Sequence, residues 1–171
     1  MTRVLISDTS ILVDLERGGL LEAAFRLDVD FAVPDLLFEE ELKDYNGDRL
    51  RSLGLLVQEL DGGGVERAMA HRETEPLLSI ADAFALSLAQ DQTTTLLTGD
   101  AALRSLAEQE GVDCHGLLWL LDLMFEASVV APEALRNGLD AVFVHPRCRL
   151  PKDQVRSRLK RYAEAIAAEN D

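Results

Sequence analysis

Basic residues are scarce: 17 lysines and arginines stand against 31 aspartates and glutamates, for a formal net charge of −14. So acidic a chain repels a phosphate backbone, which argues against broad nucleic-acid affinity. Cysteine is scarcer still. Cys114 and Cys148 are the only two, in no C-x-x-C spacing, so a zinc site is not expected and free thiols in a reducing cytoplasm are. His71, His115 and His145 are scattered, and none stands with a cysteine or serine as a nucleophile pair would. Aromatics make up 5%, and Trp119, inside "LLWLLDLM", reads as a core or interface anchor rather than a base-stacking platform. Long apolar runs are missing. Asp8 and Asp14 interrupt the first apolar stretch, so no secretory signal is expected. The most apolar segment, "GLLWLLDLMFEASVVA" at 116–131, carries Asp122 and Glu126 and is too short to span a bilayer. These absences predict a cytoplasmic protein without a membrane segment.

What is present describes a globular chain: 171 residues, 47% hydrophobic and 28% charged, enough for one domain with a substantial core. Short β-rich runs alternate with helical stretches. "RVLIS" (3–7), "FAV" (31–33), "TTTLLT" (93–98) and "VDCH" (112–115) read as strands. "LLVQEL" (55–60) fits a short strand or a helix end equally. Helices are predicted from 11, from Pro34 through "DLLFEEELKDY", near 65–72 after a "GGG" break, over 79–90 and 101–110, and around 117–127, 132–141 and 152–168. Such alternation implies β-α-β units and a three-layer α/β/α sandwich on a central, mainly parallel sheet. The division expected is a main domain over 1–146 and a basic helical extension of it over 147–171.

The acids carry the chemistry. Asp8 follows "VLIS" and Asp100 follows "LLTG", each where a strand ends and a helix begins. Either is a good helix cap. If the strands are parallel, both also emerge at the same carboxyl edge, where open α/β sheets bind ligands. Asp82 stands three residues after Ser79, as in a capping box, yet lies in the apolar helix "SIADAFALSLA". No lysine or arginine occurs between Glu73 and Leu103 to neutralise it. Glu40 continues the buried Leu36/Leu37 stripe of its helix; Glu41 shares much of that face, and Glu39 points away. Carboxylates gathered at ~5 Å repel by about 3 kcal/mol per pair at an effective dielectric near 20. Divalent cations remove that cost, and oxygen-only ligands suit Mg²⁺ or Mn²⁺.

"ISDTSILVDL", "VPDLLFEEEL", "LSIADAFALSLA" and "LLTGDAALRSLAEQEGVDCHG" resemble, in order and spacing, the motifs of PIN-domain nucleases. That family includes the toxin ribonucleases of VapBC toxin–antitoxin modules. The resemblance implies that Asp8, Glu40, Asp82 and Asp100 form the catalytic, metal-binding set, with Glu41 able to replace Glu40 after a small register change. It further implies that Thr9 or Ser10, with Thr98, supports the site or a substrate phosphate, although Ser10 also fits a helix cap. Many members carry an aromatic just after the fourth acid, where this chain has Ala101, Ala102 and Leu103. The implied activity is a Mg²⁺- or Mn²⁺-dependent endoribonuclease acting on RNA, with an antitoxin partner and a homodimeric state as companions. Two other classes compete. A catalytically silent PIN-like interaction module leaves four retained acids unexplained. A phosphoacceptor signalling domain wants an acid beside the first aspartate and a lysine at its last core strand, but Ser7 precedes Asp8 and no lysine lies between Lys43 and Lys152.

Overall fold

The structure, a computed structural model, describes residues 2–171. Within them, five strands form one parallel sheet in the order β3-β2-β1-β4-β5. They are β1 (Arg3–Ser7), β2 (Val29–Pro34), β3 (Leu56–Gln58), β4 (Thr95–Leu97) and β5 (Cys114–His115). The chain steps outward from β1 to β2 and β3, then returns past β1 to β4 and β5. That reversal makes the β1/β4 boundary the topological switch point, where parallel sheets carry ligands at their carboxyl ends. The undecided 55–60 segment is thus the edge strand β3.

Contacts divide the chain into two compact units. The first takes the residues up to Ile11 with Asp28–Gly116, the second Leu12–Leu27 with Leu117–Asp171. In the first, the sheet is joined by α3 (Asp35–Leu37), α4 (Lys43–Leu53), α5 (Gly62–Thr74), α6 (Ile80–Gln92) and α7 (Ala101–Gln109). Leu5, Ile6, Phe31, Ala32, Val33, Leu96 and Leu97 are all buried. Consecutive burial of this kind is why the parallel strands read as apolar runs instead of alternating. Helix α6 packs on β1, β2 and β4 and against α5 and α7, which accounts for its apolar residues on almost every side.

The "GGG" expected to break the chain instead opens α5. Asp61 caps it, accepting from the Gly64 N–H at 2.7 Å. Ser87 of α6 donates to the Gly64 carbonyl at 2.6 Å, and a Cβ on Gly64 would lie 2.7 Å from an Asp91 oxygen. Glycine here permits close α5–α6 approach, an advantage that outweighs its poor helix propensity. The helix expected beyond Pro34 is not continuous either. Between α3 and α4 lies a π-helical turn, Phe38–Leu42, in which the Lys43 N–H donates to the Phe38 carbonyl five residues back.

The second unit holds most of α1 (Thr9–Arg17), with α2 (Leu21–Ala24), α8 (Leu117–Glu126), α9 (Pro132–Phe143) and α10 (Lys152–Glu169). Leu15, Leu20, Leu120, Leu121, Met124, Leu135, Leu139 and Tyr162 form its core. Arg158 of α10 grips Asp122 of α8 through two bonds, at 3.0 and 2.7 Å. Among the described residues no helix is long and apolar enough to cross a membrane.

Candidate active site

Asp8 ends β1. Its N–H donates to the Leu97 carbonyl at 3.0 Å, carrying the β1–β4 ladder one residue past the strand. The side chain is almost wholly buried, 3% exposed. Oδ1 accepts from the Ser10 hydroxyl at 2.7 Å and the Ile11 N–H at 3.2 Å, and Oδ2 accepts from the Thr98 hydroxyl. Asp8 therefore does act as a cap for α1, but on one oxygen only. Thr98, fully buried just beyond β4, also accepts the Asp100 N–H at 2.9 Å, while Ser10 accepts the Gly99 N–H at 3.1 Å. Two hydroxyls thereby tie the β1–α1 and β4–α7 junctions together across the switch point.

Asp100 caps α7, accepting from the Leu103 N–H at 2.8 Å, and stays exposed. Asp82 lies in the first turn of α6, its N–H donating to the Ser79 hydroxyl at 3.0 Å. Thr9 turns the other way from Ser10, donating to Glu41 Oε2 at 2.7 Å. Glu40 was expected to extend the buried Leu36/Leu37 stripe. It does not: Glu40 and Glu41 are both exposed, and Glu41 is the glutamate that meets the β1–α1 junction, through Thr9. A π-helical turn over Phe38–Leu42 follows α3, so the α-helical spacing that would link Leu36 to Glu40 does not carry through.

A family model described as a PIN domain matches residues 4–164. The chain belongs to the PIN-domain family. A PilT N-terminus domain protein from the hyperthermophilic archaeon Sulfolobus solfataricus P2 is similar in structure, with a TM-score of 0.48 and 14% sequence identity, over 74% of this chain and 93% of that one. No curated protein matches. A PIN domain is a nuclease-type fold, and the expected α/β/α class with its parallel sheet stands.

Electrostatics bind this PIN domain's acids into one group. The Asp82 carboxyl is pushed up to about 7, first by burial and then by the negative charges of Asp8, Glu41 and Asp100, against a hydrogen bond from Ser79. Burial also raises Asp8, opposed by Thr98, Ser10 and Ile11 and reinforced by Asp100. Among the described residues, no cation belongs to the groups that shift either acid. Arg104, the nearest arginine in sequence, gives a guanidinium N–H to the Thr98 carbonyl at 3.0 Å instead of to a carboxylate. It thus steadies Thr98 from behind, a contact that no sequence motif announced.

PIN domains commonly use Mg²⁺ or Mn²⁺, and the donors here are all carboxylate and hydroxyl oxygens. Among the described residues, no three acidic, histidine or cysteine side chains converge into a ready cage. Mg²⁺ does not need one, since it keeps several waters and takes one or two carboxylates. An uncompensated group of acids with oxygen donors fits such an ion. A cavity of about 590 Å³ lies elsewhere, at the amino edge of the sheet, lined by Arg3, Gln90, Thr95 and Asp113, and includes none of these acids.

Proposed function

We propose that this PIN domain is a divalent-metal-dependent endoribonuclease, with Asp8, Asp82, Asp100 and Glu41 as its acidic set. The observation that carries the proposal is the gathering of these acids at the switch point, where burial first, and then the charges of Asp8, Glu41 and Asp100, lift Asp82 to about 7. A structural cap or a silent interaction module has no use for that arrangement, because burying unpaired charge costs stability.

Asp8 and Asp100 would hold Mg²⁺ or Mn²⁺, with Asp82 and Glu41 holding its water shell or a second ion. Such an ion supplies an activated water and charge stabilisation at the leaving oxygen of a phosphodiester. The protein's own residues do the rest. Thr98 and Ser10 hold the Asp8 carboxylate in place, one on each oxygen. Thr9 fixes Glu41 in the same way. Ser10 would support a substrate phosphate, whereas fully buried Thr98 would support the site through Asp8. Glu41 takes the role first expected of Glu40. The biological setting proposed is the toxin of a toxin–antitoxin module, homodimeric and inhibited by an antitoxin protein, on the strength of the motif resemblance.

Purified protein should cut single-stranded RNA with Mn²⁺ or Mg²⁺ and stop on adding EDTA. Asp8→Asn should abolish cutting while leaving the protein folded. Cleavage that survives both EDTA and Asp8→Asn overturns the assignment.

A further inference from the structure

Positive charge in this acidic chain is not spread evenly. Residues 147–161 hold seven of the 17 basic residues and a single acid, Asp153, a local net charge of +6 against −14 for the whole. Elsewhere, basic side chains pair with carboxylates, as Arg17 with Asp14, Lys43 with Glu39, Arg67 with Asp91 and Arg136 with Glu133, or are taken up by carbonyls or a ring, as Arg26 by Val129, Arg72 by Leu78, Arg104 by Thr98 and Arg51 over Phe38. Inside the segment, Arg158 and Arg161 also do so, through Asp122, and Arg161 lies 4.2 Å over the Phe125 ring. Both belong to the packing of α10 on α8.

The remaining five differ. Arg147, Arg149, Lys152 and Arg156 are exposed and, among the described residues, form no ion pair. Lys160 reaches Glu164 only at 4.0 Å. Lys152, Arg156 and Lys160 succeed one another at four-residue spacing along α10, which places them in one stripe. Val155 and Tyr162 are buried on another face of the same helix. Like charges at this spacing destabilise an isolated helix. With 31 acids in the chain, the stripe nevertheless has one carboxylate partner among the described residues, Glu164, 4.0 Å away at its far end.

We infer that the exposed stripe Lys152, Arg156 and Lys160 of α10, led in by Arg147 and Arg149, is a docking surface for the phosphate backbone of single-stranded RNA. Charge complementarity selects the occupant: a polyanion with regularly spaced charges satisfies a row of unpaired cations that the chain itself leaves open. Lysine and arginine contacts to phosphate carry no base information, so the surface supplies affinity and not sequence choice. The choice of RNA rests on the nuclease reading above; the binding does not require cleavage.

The test measures binding of a labelled oligouridylate to the full chain in EDTA, over a salt series. Each phosphate contact to a single strand contributes about −0.7 to the slope of log K against log salt. Lys152→Gln/Arg156→Gln/Lys160→Gln should therefore flatten the slope by about 2 and weaken binding about tenfold or more at low salt. Its melting temperature should stay close to wild type, since none of the three packs in the core. A control with the same charge change, Arg17→Gln/Lys43→Gln/Arg136→Gln, should leave the slope nearly unchanged. If the stripe variant binds RNA as wild type does, or the control loses as much, the surface is not an RNA dock. Absence of cleavage with binding intact would sink the nuclease reading and leave this inference standing.

Discussion

Glu41 and Glu40 are both exposed, and their contacts differ. Glu41 takes the Thr9 hydroxyl at 2.7 Å and its charge is felt at Asp82, whereas Glu40 does neither among the described residues. Glu41→Gln should therefore lower RNA cleavage by about tenfold to a hundredfold, the usual cost of disturbing groups around a metal, and Glu40→Gln should change it little. The reverse ranking in a cleavage assay would mean that the π-turn does not set the site. Asp82 supplies a pH test. Its carboxyl ordinarily titrates at 3.8 and is raised to about 7 in the fold. A raised acid binds its proton more tightly when folded, so ionising it costs stability. That cost is fully present above pH ~7 and disappears as pH falls toward ~4. Asp8 and half-buried Asp14 are shifted in the same direction. In EDTA the protein should melt higher at about pH 6 than at about pH 8, and saturating Mn²⁺ should shrink or invert that difference. A metal-free melting temperature that climbs with pH over this window contradicts the repulsion.

At the scale of elements, the sequence was most legible where one local rule had no rival. "VLIS" before Asp8 and "LLTG" before Asp100 are buried strands followed by caps, and both form. Ser79 and Asp82 make the expected cap of α6. Legibility failed where tertiary packing overrode local preference. Gly62 and Gly63 join α5 because Gly64 must admit α6, and nothing within "GGG" announces that partner. The π-turn at Phe38–Leu42 has no composition signal, so helical periodicity alone could not tell which glutamate meets Thr9. The cation behind Thr98, Arg104, was hidden because its contact is with a carbonyl. Packing in the second unit yields a further test. Gly138 of α9 is buried, and a Cβ there would fall 2.7 Å from the Gly18 carbonyl oxygen and 2.6 Å from Leu20 Cδ1. Alanine normally gains about 1 kcal/mol over glycine inside a helix. Here the backbone oxygen cannot move aside cheaply, so Gly138→Ala should lose about 1–3 kcal/mol, several degrees in a thermal melt. An unchanged or raised melting temperature would show that α9 and the Gly18 turn are less tightly apposed.

Over the whole molecule, the net charge of −14 averages two opposed regions. Acids gather at the carboxyl edge of the sheet, and exposed bases gather on α10 and the segment before it. The central claim is that the acids at the switch point form a metal site and not merely a set of helix caps, and Asp100 separates the two. It caps α7 through Leu103, and asparagine caps about as well as aspartate. Asp100→Asn therefore keeps the cap and removes one negative charge. The decisive measurement is the thermal melt of wild type and Asp100→Asn, each in EDTA and in millimolar Mn²⁺. A metal site requires that the variant melt at least as high as wild type in EDTA, since repulsion is relieved. It also requires that Mn²⁺ stabilise wild type by several degrees and the variant far less. If both proteins melt alike in EDTA and gain equally from Mn²⁺, Asp100 is a cap and the site lies elsewhere.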